Sequence, residues 1–243
     1  MSPVKASPTA RERARAELTR EIKEEARKQL AVTGAQGLSL RAVARELGMV
    51  SSALYRYFPS RDDLLTALII DAYDAMGEVA EAAIAADASP RVRWLAACHA
   101  IRGWALAYPS EYALIYGSPV PGYRAPEATI GPATRVPLAL MSVLRDAAAS
   151  GEMLAGGDAN DTAPARLGGA LAGQAAAIVA ALPAVRGLAA VPREAVVRAV
   201  IAWTQLFGMI SFELFGQFVG SFEPADAFFE YAVAQLAAFV GLE

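Results

Sequence analysis

The stretch from Ser39 to Leu65 constrains the fold more than any other part of the chain. Apolar residues at helical spacing follow Ser39, a favourable N-cap, and Gly48 then ends this first helix. A second short helix opens near Ser51 and is stopped by Pro59. Two helices joined by a short glycine-containing turn predict a helix-turn-helix, whose second helix can lie in the major groove of DNA.

Side chains on and beside the second helix suit DNA binding, because hydroxyls, phenols and guanidinium groups bond phosphate oxygens and base edges. We expect Tyr55, Tyr57 and Arg61 to contact phosphates. A solvated polar face on a small helical bundle is the alternative interpretation, because helix-turn-helix patterns have many false positives. The complete set of candidate DNA-binding residues is Ser39, Arg41, Ser51, Ser52, Tyr55, Arg56, Tyr57 and Arg61.

The run L-x-x-V-A-x-x-L-G-x-x-x-x-x-L-Y-x-Y-F-x-S-R-x-x-L, from Leu40 to Leu64, resembles the DNA-binding module of the TetR family of bacterial repressors. One departure is visible, because Val50 stands where the family usually has a serine cap, and we expect Ser51 to replace it. The resemblance implies a homodimer that binds a palindromic operator in double-stranded DNA and responds to a small-molecule effector.

The domain organisation follows from this motif and from charge. We expect an all-α chain in which residues 1–59 form a tail and a three-helix DNA-binding head. Residues 60–243 form a helical body for ligand binding and dimerisation, entered by a connecting helix over residues 60–86. Residues 1–61 hold twelve Lys and Arg against six Asp and Glu, whereas the remainder holds ten against nineteen. A basic head on an acidic body favours one surface for a polyanion.

The block from Trp94 to Tyr123 resembles the regulatory domain of one large TetR subgroup, often called the WHG domain, and this resemblance implies no particular ligand. Aromatic residues cluster around the breaks of the body, and some of them are expected to line a pocket for a hydrophobic or aromatic molecule. Ordinary core packing is the alternative for most of them. The candidate pocket residues are Trp94, Trp104, Tyr108, Tyr112, Tyr116, Met141, Trp203 and Phe207.

A predicted helix over residues 192–216 carries two apolar stripes, so it must bury two faces. We expect one face to meet the chain's own core and the other to pair with a second subunit, although burial of both within one subunit is the alternative. The family dimerises through its last two helices, which implies a contribution from the final helix, predicted over residues 225–240. The candidate interface residues are Val197, Ile201, Thr204, Gly208, Ser211, Phe215, Phe229, Val233 and Leu236.

Catalytic chemistry is not expected. His99 follows Cys98, and consecutive helical residues do not share a face, so they cannot act as a pair. The chain has no metal-spaced Cys/His set and no phosphate-binding glycine loop, so neither a metal nor a cofactor is predicted.

No uninterrupted apolar run reaches the length of a membrane span, which together with the single cysteine predicts a cytoplasmic protein. We therefore expect a ligand-responsive repressor, with a helical protein-interaction adaptor as the alternative.

Overall fold

The computed structural model describes residues 9–85, 87–153, 167–181 and 187–242, and every segment of regular secondary structure in these ranges is helical. This confirms the predicted all-α fold. The predicted tail before Thr9 lies outside the described residues. The α-helices are α1 (Ala10–Thr33), α2 (Leu40–Glu46), α3 (Ser51–Leu54), α4 (Arg61–Ile84), α5 (Pro90–Ala107), α6 (Pro109–Tyr116), α7 (Ile130–Ser150), α8 (Gly169–Ala181), α9 (Arg193–Leu214) and α10 (Asp226–Phe239).

Side-chain caps explain where several helices begin. The hydroxyl of Ser39 accepts the N–H of Ala42 at the start of α2, and Ser89 caps α5, whose first residue is Pro90. α1 starts at Ala10 because Thr9 and Glu12 form a capping box, in which each side chain accepts the backbone N–H of the other residue. The T-x-x-E spacing in the sequence is the signal for this start.

The described residues divide into two compact units, and α4 contributes its first half to one and its second half to the other. Unit 1 consists of the chain up to Ala72 together with Ser110–Thr129. Within it, Asp71 of α4 receives ion pairs from Lys23 and Arg27 of α1, at 2.7 and 2.5 Å. The hydroxyls of Thr66 and Tyr123 are 2.9 Å apart, so segment 110–129 hydrogen-bonds to the first half of α4. The predicted boundary between residues 59 and 60 stays a prediction.

Unit 2 consists of Tyr73–Pro109 and the described residues from Ile130 onward. Arg135 of α7 joins two turns of α4, since it donates to the carboxylate of Asp74 at 2.9 Å and to both oxygens of Glu81 at 2.6 and 2.9 Å. Gly77 makes room for this side chain, because a Cβ there would lie 2.7 Å from the Cβ of Arg135. These hydrogen bonds lower the pKa of Glu81 and raise that of Arg135.

Arg102 of α5 connects the two ends of the turn between α9 and α10. Its guanidinium donates to both carboxylate oxygens of Glu213 at 2.6 and 2.7 Å and to Asp226 at 3.0 Å. The same group lies 4.9 Å from the ring centre of Phe229, so it also makes a cation–π contact. Arg102 is buried, and its pKa is raised chiefly by the hydrogen bonds to Glu213.

Helix α9 is, among the described helices, the one that is long and apolar enough to cross a membrane by length and composition alone. A core helix of a soluble protein passes the same test. Its residues Val196, Ala202 and Ile210 are buried inside unit 2, which accounts for much of its apolar composition.

Candidate DNA-binding surface and regulatory body

The recognition helix α3 is a single turn, Ser51–Leu54, held in place by the fully buried side chain of Leu54. Its N-cap is Val50, which has an extended backbone and no side chain able to accept a hydrogen bond. The expectation that Ser51 replaces the missing serine cap is therefore wrong, since Ser51 is the first helical residue. The start of α3 is left without the side-chain cap that the TetR pattern usually supplies.

The candidate DNA-binding residues divide by exposure. Arg41, Ser52, Tyr55 and Arg56 are exposed, whereas the other four are only partly so. Neither Arg41 nor Arg56 has a carboxylate partner within the described ranges. Ser39 already uses its hydroxyl to cap α2. Among the candidate DNA-binding residues, these two guanidinium groups are therefore the cations most available to an incoming polyanion.

Arg15 of α1 contacts the end of the recognition helix. Its guanidinium lies 5.0 Å from the ring centre of Tyr57 and donates to the backbone carbonyl of Arg56 at 3.4 Å. This contact holds the ring of Tyr57 against α1. No spacing in the sequence indicates this contact, because Arg15 and Tyr57 are brought together by the packing of distant segments.

The guanidinium of Arg61 is hydrogen-bonded to backbone carbonyls of the head. Its Nε donates to the carbonyl of Leu38 at 3.2 Å, and Nη2 donates to the carbonyl of Ala35 at 2.6 Å. Nη1 is 3.4 Å from the carboxylate of Asp62. We correct the predicted phosphate contact of Arg61 accordingly, since its donors tie the start of α4 to the loop before α2.

Replacing Arg61 by alanine should destabilise the head by about 2 kcal/mol, because hydrogen bonds from a charged donor to partly buried carbonyls are lost. Urea unfolding checks this value. The salt dependence of DNA binding should keep its slope, measured against Arg41→Ala as an exposed, unpaired control. Unchanged stability together with a slope reduced by about one would restore the phosphate assignment.

The candidate pocket residues do not fall within one unit. Tyr112 and Tyr116 belong to unit 1, with ring centres 5.2 Å apart, and the remaining six belong to unit 2. In unit 2, Trp104 pairs with Tyr108 and Trp203 with Phe207, each at 5.8 Å between ring centres. Trp94, Trp104, Met141 and Phe207 are buried, whereas Tyr108 is half exposed.

Two faces of α9 differ in burial. The face toward the chain's own core includes small residues that the sequence analysis overlooked, namely Ala195, Ala199 and Ala202. The second stripe is open, because Ile201 is 39% and Phe215 47% exposed and Thr204 is also exposed. The other members of this stripe, Val197, Gly208 and Ser211, are partly exposed.

The interface assignment of three α10 residues is wrong. Phe229, Val233 and Leu236 are buried within unit 2 and have no surface to offer a partner. Their helical periodicity marked the core face of α10. The exposed face carries Tyr231 and Phe239 instead.

No group of three or more His, Cys, Asp and Glu side chains within the described residues is arranged to hold a metal ion. Cys98 is buried, and burial raises the pKa of its thiol to about 12. The thiol is therefore neutral in the folded chain.

This helix-turn-helix head and helical body define a class of helical DNA-binding regulators, and similarity to known proteins identifies the family. Residues 22–68 match the family model of bacterial regulatory proteins of the tetR family. Residues 94–236, more than half of the chain, match a tetracyclin repressor-like C-terminal domain. The chain belongs to the TetR family. It is thus a DNA-binding transcriptional regulator and not an enzyme, as predicted.

Individual relatives agree with this assignment. A helix-turn-helix-type transcriptional regulator of Mycobacterium tuberculosis is 39% identical over 212 residues, which cover 84% of each chain. One crystal structure, of a protein assigned as regulatory, is 38% identical to this chain and superimposes with a TM-score of 0.70. The match covers 95% of this chain and 100% of that one. A TetR family regulator from Thermus thermophilus shares the fold, at 19% identity, a TM-score of 0.55 and coverage of 91% of this chain and 98% of that one.

Proposed function

We propose that the chain is a homodimeric repressor that binds a palindromic operator and is released by a small apolar or aromatic ligand. The observation that carries the DNA-binding surface is the pair of exposed, unpaired guanidinium groups of Arg41 and Arg56 on the helix-turn-helix. Ser51 and Ser52 lie on the same short helix and supply hydroxyl groups for base edges or phosphates. A cytoplasmic location follows from this function, because the operator is chromosomal.

Dimerisation is supported by the open stripe on α9. Ile201, Thr204 and Phe215 leave apolar surface uncovered on a helix whose opposite face is buried. A two-fold protein places two recognition helices on two half-sites, which a palindromic operator requires. Exposed apolar residues along one helix face are typical of a surface that pairs with another chain.

Ligand release is supported by the continuity of α4, which runs without a break from Arg61 to Ile84 and is shared by both units. In the second half of this helix, Arg135 fixes α7 to Asp74 and Glu81. A ligand that shifts the body can therefore act on the helix that enters the head. A hundredfold weakening of operator binding requires about 2.7 kcal/mol of differential ligand affinity for the released state.

Selection of genomic fragments by the pure protein tests the whole proposal. We expect recovered fragments to share a two-fold symmetric site and to be retained as a complex of two chains per site. Transcription from such a promoter should fall when the protein is added. Recovery of sequences without a shared site contradicts specific binding, and increased transcription contradicts repression.

Replacing Arg56 by alanine should cost about 1–3 kcal/mol of binding at the cognate site and relax base preference there, because an exposed arginine beside the recognition helix is placed to read a base edge. Competition binding with single-base operator variants measures this. Arg193→Ala is the matched control, since it removes the same charge from an exposed position on α9. A uniform loss across all sequences would instead assign Arg56 to a phosphate.

A further inference from the structure

Val50 is an apolar side chain that stands uncovered at the start of the recognition helix. It is 70% exposed, although Leu54 at the end of the same helix is fully buried. As the N-cap of α3, Val50 has no hydroxyl with which to accept a backbone N–H, whereas a serine there would stabilise the start of the helix. Neither burial in the described part of the chain nor helix capping accounts for a valine at this position.

The backbone on both sides of Val50 is held by hydrogen bonds. The N–H of Met49 donates to the carbonyl of Ala44 at 2.8 Å, which anchors the turn to α2. The N–H of Ala53 donates to the carbonyl of Val50 at 2.9 Å, which anchors the same turn to α3. The exposed side chain is therefore pre-organised, and a partner can contact it without the cost of ordering a loop.

The place of Val50 in the helix-turn-helix limits which partner it can meet. The first residues of the second helix reach base edges in the major groove, and Val50 directly precedes the first of them, Ser51. The side chain of a valine has neither a donor nor an acceptor for a phosphate oxygen. Against a polar base edge, it would leave a buried donor or acceptor unpaired. The apolar group that the major groove presents is the C5 methyl of thymine.

We infer that Val50 is a specificity-determining residue whose methyl groups contact the C5 methyl of one thymine in each half-site of the operator. This inference rests on the proposed function, since it requires specific binding to an operator. The contact buries apolar surface that is exposed in the free protein, so it strengthens binding. It also favours thymine over cytosine, which has a hydrogen atom in place of the methyl group.

Uracil is the matched probe for this contact, because 2′-deoxyuridine pairs as thymidine does and lacks only the C5 methyl. An operator duplex recovered in the genomic selection is prepared with each thymine replaced in turn by uracil. We expect one symmetry-related pair of positions at which the replacement weakens binding of the full chain, about fourfold in one half-site and about fifteenfold in both. Competition binding against the unmodified duplex measures these ratios.

Two variants assign the effect to the side chain of Val50. Val50→Ala and Val50→Ser should bind the thymine and uracil forms of that position about equally. Val50→Ser also supplies a helix cap, so urea unfolding should show a chain at least as stable as the unsubstituted one. The loss of discrimination in this variant then cannot come from unfolding.

Val32→Ser is the matched control, because it removes a valine that is 84% exposed in the last turn of α1. This variant should keep the full preference for thymine.

Three results overturn the inference. The first is equal binding of the thymine and uracil forms at every position of the operator. The second is a preference for thymine that persists unchanged in Val50→Ala, since another side chain would then make the contact. The third is an operator without a thymine in its half-sites. A selection that recovers no shared site contradicts specific binding itself, whereas a shared site that tolerates uracil throughout contradicts only the role of Val50.

Discussion

Replacing Gly208 by tryptophan should give a folded chain that stays monomeric and binds its operator about a hundredfold or more weakly. Gly208 lies on the open stripe of α9, and a Cβ at this position meets nothing within 4 Å in its own subunit. An indole therefore disturbs little within the chain but fills the space where a second helix would approach. Loss of the second head removes the effective concentration that makes a two-site complex tight. Sedimentation and operator titration measure the two effects.

Gly103→Trp is the matched control for this substitution. Gly103 is an exposed helical glycine whose Cβ would likewise meet nothing within 4 Å, but it lies on α5. We expect this variant to dimerise and bind DNA as the unsubstituted chain does. A Gly208→Trp chain that sediments as an intact dimer would show that the open stripe of α9 is not the subunit contact. The exposed face of α10 around Tyr231 would then be the next surface to test.

Replacing Arg102 by alanine should lower the free energy of unfolding by about 3 kcal/mol, because it leaves the carboxylate of Glu213 partly buried and unpaired. Most of the loss should come from Glu213, since its side chain is 18% exposed whereas that of Asp226 is 73% exposed. Urea unfolding at one fixed protein concentration measures the change, because the stability of a dimer depends on concentration.

Two further variants separate the buried pair from the general loss of a side chain. Adding Glu213→Gln to Arg102→Ala should recover part of the stability, because the uncompensated charge is gone. Asp226→Asn alone should change the stability by less than about 1 kcal/mol. A loss below about 1 kcal/mol for Arg102→Ala would mean that the ion pair with Glu213 contributes little net stability.

The elements that depend on neighbouring residues could be predicted from the sequence. Ser39, Gly48 and Ser89 act within one helical turn, so the start of α2, the end of the same helix and the start of α5 follow from local rules. The helix-turn-helix is made of such local signals, which is why it was recognisable. The start of α3 near Ser51 was predicted, but its cap was not, because the serine next to Val50 offered a cap that the backbone does not use.

The features that depend on distant parts of the chain could not be predicted in this way. Arg61 donates hydrogen bonds to carbonyl groups more than twenty residues earlier in the chain, and no spacing in the sequence indicates that contact. The core face of α10 was mistaken for an interface because Phe229 and Val233 have the periodicity of any buried stripe. Periodicity shows that a face is covered, but it does not show whether the same chain or another one covers it.

Segment 110–129 limits how this regulator can be recombined with its relatives. It is separated in sequence from the first part of unit 1 by the whole of Tyr73–Pro109, yet it forms one compact unit with the chain up to Ala72. A chimera that exchanges only the first 72 residues would leave Tyr123 without Thr66 and Glu111 without Arg27 whenever the donor lacks these residues. An interchangeable module for sensor construction therefore consists of two stretches of sequence, which have to be transplanted together.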